Sequence, residues 1–352
     1  MRFFLLSLAA SLAGAVSIDL AQRDSPLEVQ LSAVGNTAVK ASITNKGASP
    51  LRVFKTGSIL DDNAVEKVKV YQGDVLIPFE GVRLYVSTSS LDDTAFQTLA
   101  PGATLEKDFD IAHAHDVSAG GLYDIALNSA LTYSSTDSND LIGTVPIQSP
   151  VLTMTVDGAE ASLTRAAFHA KTKRALLQAD CTGAQRESLL KAFPICASRA
   201  AAASSAALTN AAKVKEYFKS DSTSVRNTVS GVFDKIAAEC KDSTSGVSKQ
   251  YCTDRDNNCQ GGVIAYTYPA RSYVVYCTGY FTRIVERSSE CHHDDQPFVT
   301  MHEFTHLREI KGTDDYGVYG YAGVLKLSAT QNLNHADTYA LFSNAIDVGG
   351  SC

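Results

Sequence analysis

A chain of 352 residues, 45% hydrophobic and 20% charged, is long enough for two ordinary domains. Its composition is that of a folded protein and excludes disordered and fibrous classes. The formal net charge of −7 argues against nucleic acid as a general partner, because phosphate binding needs basic patches.

The chain begins with Arg2 and a mostly apolar run from Phe3 to Val16, with small residues at Ala15 and Ser17. A positive start, a short apolar stretch and a small-x-small site read as a secretory signal over residues 1–17. The run is shorter than the ~20 residues a spanning helix needs. No later stretch is apolar enough to span either, so the chain is expected to be secreted and extracellular, with no membrane partner.

From residue 18 to 174 the pattern is β. Leu27, Val29 and Leu31 alternate with polar residues, as do Val39, Ala41 and Ile43. Val68 and Val70, then Val82, Leu84 and Val86, then Leu152, Met154 and Val156 continue the alternation. Asn45-Lys46-Gly47, Gln72-Gly73-Asp74, Pro101-Gly102 and Gly120-Gly121 supply turns between them. Short alternating strands with regular turns predict an antiparallel, sandwich-like all-β domain. His113 and His115, near a turn, are expected to be solvated rather than ligands.

The boundary at Lys171-Thr172-Lys173-Arg174 ends in a dibasic pair of the kind that proteases of the secretory pathway cut. All eight cysteines lie beyond it, which suggests two halves with different fates. An even number of cysteines in an exported chain implies disulfides, and no C-x2-C pair exists to suggest a metal cluster. The reading is therefore a signal at 1–17, a β-rich propeptide at 18–174 and a mature domain at 175–352. Lys173 and Arg174 would mark the processing site.

After the boundary the periodicity turns helical, over 184–219 with Pro194 as a kink or break. Further helices fit 222–240 (capped by Asp221 or Ser222), 280–288, 297–309 and 329–346. The last is opened by the capping pattern Ser328-x-x-Gln331. Residues 246–262 form a crosslinked loop, and Val263–Tyr268 with Tyr273–Tyr276 make a pair of short strands. The fold class is α+β: a mostly helical domain with one small antiparallel sheet, whose exposed edge could receive an extended substrate by strand addition.

The chemistry sits at His302-Glu303-Phe304-Thr305-His306. On a helix, residues i and i+4 share a face, so both imidazoles can reach one zinc ion while Glu303 stands beside it to take a proton from water. A catalytic zinc also needs a third protein ligand and an open position. No glutamate follows Glu309, so Asp314, Asp315, His335, Asp337 and Asp347 remain as candidates, an aspartate foremost.

These residues, followed by Gly312-Thr313-Asp314-Asp315 and Tyr319-Gly320, resemble the deuterolysins, the aspzincin metallopeptidases of fungi. Asn334-His335-Ala336-Asp337-Thr338-Tyr339-Ala340 is similar to the closing segment of that family. The resemblance implies a zincin-type domain that holds one Zn2+ per chain through His302, His306 and Asp315. It also implies Glu303 as general base and a tyrosine that stabilises the oxyanion. Three residues separate Asp315 from Tyr319-Gly320 where the family pattern has two, so the tyrosine is Tyr319, with Tyr316 as the alternative. Asp337 is expected to hydrogen-bond a ligand histidine. The resemblance further implies the disulfides Cys181–Cys252, Cys259–Cys277 and Cys291–Cys352, leaving Cys196 to pair with Cys240. The expected function is a secreted zinc metalloendopeptidase made as a preproenzyme, acting as a monomer on proteins or peptides after a processing protease cuts behind Arg174. A secreted, non-catalytic binding or toxin-like protein with a structural zinc is the alternative.

Overall fold

A computed structural model of the protein describes residues 25–88, 91–169, 177–241, 246–349 and 352. The expected signal segment and the dibasic pair Lys173-Arg174 lie outside the described residues. The N-terminal half carries strands β1 (Leu27–Ala33), β2 (Ala38–Asn45), β3 (Leu51–Phe54), β4 (Lys69–Gln72), β5 (Val75–Leu76) and β6 (Arg83–Val86). Beyond these come β7 (Phe96–Leu99), β8 (Thr104–Asp110), β9 (Gly121–Ala126), β10 (Asn128–Ser134), β11 (Leu141–Gln148) and β12 (Leu152–Val156). Three antiparallel sheets arise, ordered β1-β2-β8, β11-β10-β3-β7 and β12-β9-β4-β5. In β2 every second residue is buried, so Val39, Ala41 and Ile43 face one core with Val29, Val70, Ile125 and Leu131. A period of two fixes this register, since a one-residue slip would turn that face to water.

One helix interrupts the β pattern. Asp157 accepts hydrogen bonds from the backbone N–H groups of Ala159 and Glu160, and this cap starts α1 (Gly158–His169). His115 is buried rather than solvated, its ring against the Ile77 carbonyl, and His113 stacks on Phe168. Neither joins the group of His302, His306 and Asp315 described below.

The C-terminal half contains α2 (Gly183–Thr209), α3 (Ala211–Phe218), α4 (Thr223–Lys241), β13 (Lys249–Tyr251), β14 (Val263–Tyr268) and β15 (Tyr273–Tyr276). It closes with α5 (Thr278–Thr282), α6 (Gln296–His306), α7 (Gly320–Val324), α8 (Ala329–Asn332) and α9 (Ala336–Val348). Pro194 does not break α2. It lies on the exposed face, where the Leu190 carbonyl it leaves without a partner can be solvated. Helix α5 stops at Thr282 instead of 288, and the next residues loop through Cys291 to meet Val285 with Asp295. The Ser328–Gln331 capping box is present but starts the four-residue α8, not the long final helix. Helices α2, α4, α6 and α9 enclose a core of Leu189, Phe233, Phe298, Phe304, Tyr339 and Phe342. Cys181–Cys252, Cys259–Cys277 and Cys291–Cys352 are disulfides, the three pairs that the resemblance implies, and Cys196–Cys240 is the pair it leaves.

The remaining sheet is shared by the two halves. Its order is β13-β15-β14-β6, with β13 parallel to β15 and the other pairs antiparallel. The edge of β14 that the sequence leaves open for a substrate is therefore taken by β6. A bulge between Val263 and Ala265 breaks the alternation of β14, so Ile264 and Ala265 join the helical core while Val263, Tyr266 and Tyr268 pack on Phe54, Leu84, Val86 and Phe96 of the N-terminal half.

Candidate active site

Helix α6 is set in place before any metal is considered. Asp295 accepts from the Phe298 backbone N–H as N-cap, with Pro297 in the first turn. The same carboxylate accepts two hydrogen bonds of 2.8 Å from Arg199 of α2, and Arg199 also reaches Asp347 at 2.8 Å. The Arg199 and Asp295 side chains are fully buried. All eleven residues of α6 are buried, which fixes the rotamers of its histidines.

His302 and His306 project from one face with their Nε2 atoms 3.1 Å apart. Asp315 Oδ1 lies 3.3 Å from each. His302 Nδ1–H donates to Asp337 Oδ1 at 2.8 Å, and His306 Nδ1–H donates to the Thr313 carbonyl at 3.0 Å. Those bonds leave both Nε2 lone pairs aimed at one point together with a carboxylate oxygen. Three acceptors facing each other in a buried site repel unless a cation lies among them. Donor spacings of this size match the edges of a tetrahedron with ligand bonds of about 2.0–2.1 Å. Asp315 Oδ1 and Glu303 Oε1 are the orphaned buried oxygens at the site among the described residues. Two nitrogens and one carboxylate are a donor set that suits zinc.

Without a cation the charges here are strained. Burial disfavours a charged His302, yet the carboxylates of Asp315 and Asp337 outweigh it and lift its pKa to about 10. Burial opposes charge on Asp315 too, but the two imidazoles hold it well below the usual carboxylate range. Burial pushes Glu303 up to about 8, against the pull of His302 and a hydrogen bond from Thr267. A bound dication reverses the first and third effects, because it favours neutral imidazoles and an ionised Glu303.

The loop after α6 explains how neighbouring aspartates diverge. Gly312 takes a positive φ of 70° and its N–H returns to the Thr305 carbonyl, turning the chain back along the helix. Asp314 then points away from the histidines to the Arg83 guanidinium, while Asp315 points at them. Tyr316 and Gly317 both have positive φ, and the Val318 N–H bonds to the Asp315 carbonyl at 2.9 Å. This tight turn absorbs the extra residue of the loop. It sends Tyr316 towards Asn334 and returns Tyr319 to the cleft, where its hydroxyl lies 3.5 Å from the Leu84 carbonyl. His335 is buried and stands apart from the His302–His306–Asp315 group: its Nε2 meets the Asp315 and Val318 carbonyls and braces the loop. Asp337 also accepts the Gly320 N–H at 2.7 Å, which ties the tyrosine turn to the His302 bond.

Sequence reasoning does not find Thr267, whose hydroxyl donates to Glu303 Oε2, or the Thr313 carbonyl. Nor does it find the Arg199–Asp295 pair. Asp295-Gln296-Pro297 carried a helix-start signal for the last of these. The first two are long-range or backbone contacts that no local pattern announces.

The sequence profile of the Deuterolysin metalloprotease (M35) family matches residues 1–350. The chain is 50% identical over 352 residues to a neutral protease 2 homolog of Colletotrichum graminicola, covering 99% of this chain and 100% of that protein. A neutral protease 2 homolog of Phaeosphaeria nodorum is 48% identical over 351 residues, covering 98% and 99% of the two chains. The neutral protease 2 homolog MEP2 of Coccidioides posadasii is 39% identical over 324 residues, covering 91% and 88%. Among solved structures, a zinc peptidase from Grifola frondosa superposes with a TM-score of 0.39 at 23% identity, over 47% of this chain and 97% of that one. The chain belongs to the deuterolysin metalloprotease family and is a zinc metallopeptidase that hydrolyses peptide bonds.

Proposed function

We propose that this chain is the preproenzyme of a secreted zinc metalloendopeptidase in which His302, His306 and Asp315 hold one zinc ion and Glu303 is the general base. The observation that carries the reading is the convergence of two tautomer-locked Nε2 atoms and one carboxylate oxygen, 3.1–3.3 Å apart, beside a buried carboxylate. Zinc bound there supplies a Lewis acid that polarises the substrate carbonyl and lowers the pKa of a water molecule towards ~7.

The remaining steps fall to the chain's own residues. Glu303, with Thr267 fixing Oε2, takes the proton of the attacking water at Oε1 and passes it to the leaving amine. The Tyr319 hydroxyl donates to the oxygen that gains charge. Asp337 and the Thr313 carbonyl keep each imidazole in the tautomer that presents Nε2. Tyr316 has no such role in this reading, since its hydroxyl is engaged by Asn334.

The reading includes a signal at 1–17, a propeptide at 18–174 and a cut after Arg174 by a processing protease. Four disulfides support an extracellular location. No described helix is long and apolar enough to cross a membrane. The mature enzyme would act as a monomer. Hydrolysis of a fluorogenic peptide by the cut enzyme, before chelation, after it and after zinc is restored, tests the reading. Activity lost and regained is expected; turnover that survives full removal of zinc contradicts it.

A further inference from the structure

The segment that fills the β14 edge is not a passive neighbour. Strand β6 runs antiparallel to β14, with Tyr85 opposite Ala265, Leu84 opposite Tyr266 and Arg83 opposite Thr267. This sets the peptide between Leu84 and Tyr85 over the catalytic residues. Its carbonyl faces the Tyr319 hydroxyl, and its N–H faces the Glu303 carboxylate. Those are the two groups expected on a peptide bond about to be hydrolysed: a donor at the carbonyl oxygen and a proton carrier at the amide nitrogen.

The side chains extend the likeness. The Tyr85 ring stands edge-on to His302 at 4.7 Å, packs on Phe298 at 6.1 Å and hydrogen-bonds Asp294 through its hydroxyl. Arg83 is clamped between Asp314 and Glu66, so the carboxylate next to Asp315 is satisfied by this strand. On the other side of the peptide, Ser87 donates to Asp294 at 3.1 Å. Further ties run from Thr132 to the Gly317 carbonyl (2.8 Å) and from Arg308 to the Phe79 carbonyl (2.8 Å).

We infer that β6 is an internal substrate mimic: Leu84–Tyr85 occupies the position of the bond to be cut, and the N-terminal half silences the enzyme by filling the β14 edge that a polypeptide substrate would use. The inference rests on the peptidase and propeptide readings above. It explains silencing without a thiol, since the half that blocks the cleft has no cysteine. Because the strand is anchored on both sides of the peptide, cutting that bond would not by itself release it.

The test uses the full chain carrying Lys173→Ala and Arg174→Ala, so that it stays uncut, beside the native chain cut after residue 174. With equal zinc content, the uncut chain is expected to hydrolyse a fluorogenic peptide at no more than about a hundredth of the rate of the cut enzyme. Adding Arg83→Ala and Tyr85→Ala to the uncut chain should raise its rate at least ~10-fold, as loss of buried anchors does. Amide exchange on the unsubstituted uncut chain is independent of whether that variant folds. The amides of β14 should be protected before the cut and exchange faster once the N-terminal half has left. An uncut chain as active as the cut enzyme, a folded zinc-loaded double variant as silent as its parent, or β14 amides indifferent to the cut would each overturn the inference. A zinc-loaded cut enzyme that hydrolyses nothing would count against the peptidase reading instead, and amide exchange would still decide whether β6 leaves the edge.

Discussion

Asp314 and Asp315 adjoin in sequence but have different partners, and that contrast gives the sharpest residue-level expectations. Asp315 faces both imidazoles, Asp314 faces Arg83, and Asp337 reaches the metal site only through His302. Asp315→Ala should lose zinc on dialysis, Asp314→Ala should keep it, and Asp337→Ala should weaken affinity about 10- to 100-fold. Metal content of the three dialysed variants checks this, and full occupancy in the Asp315 variant would refute the ligand set. Tyr319→Phe should lower kcat about 100-fold with little change in KM, while Tyr316→Phe leaves kcat near the parent value. The His-Glu-x-x-His spacing was legible in the sequence because it is local and periodic. Thr267 and the Thr313 carbonyl were not, because they reach the site only through strand register and a loop turn.

At the scale of elements, α6 owes its position to a buried charge pair rather than to its own propensity. Removing the Asp295 carboxylate leaves Arg199 with only Asp347 and deletes the N-cap of the catalytic helix. Asp295→Ala is expected to cost about 3–5 kcal/mol, read as a lower urea midpoint at unchanged slope. A shift below about 1 kcal/mol would mean that the pair does not anchor the helix. Alternation of apolar residues in the sequence marked β1, β2, β4, β6 and β12 correctly. It could not say that β6 leaves its neighbours in the chain and joins β14, because the same alternating pattern suits either sheet. Helix α1 was missed although Asp157 carried a capping signal, and Pro194 leaves α2 unbroken because an exposed proline costs a long packed helix little of its burial.

For the whole molecule, one buried cluster fills each half and a third lies across the shared sheet, and the His302–His306–Asp315 group lies in the C-terminal half. That half has an apolar, crosslinked core, so chelation should abolish activity without unfolding it. The thermal midpoint should rise with free zinc, by an amount equivalent to about 2.7 kcal/mol at 100 times the dissociation constant. A midpoint independent of zinc, read by calorimetry, would deny that the native state binds it. The central claim is that this arrangement hydrolyses peptides through Glu303, and the kcat/KM of the cut enzyme carrying Glu303→Gln tests it most directly. With one zinc still bound per chain, the value should fall by at least about 10³-fold, within the range that general acid–base groups supply. A zinc-loaded variant that keeps more than about a tenth of the parent value would contradict the account.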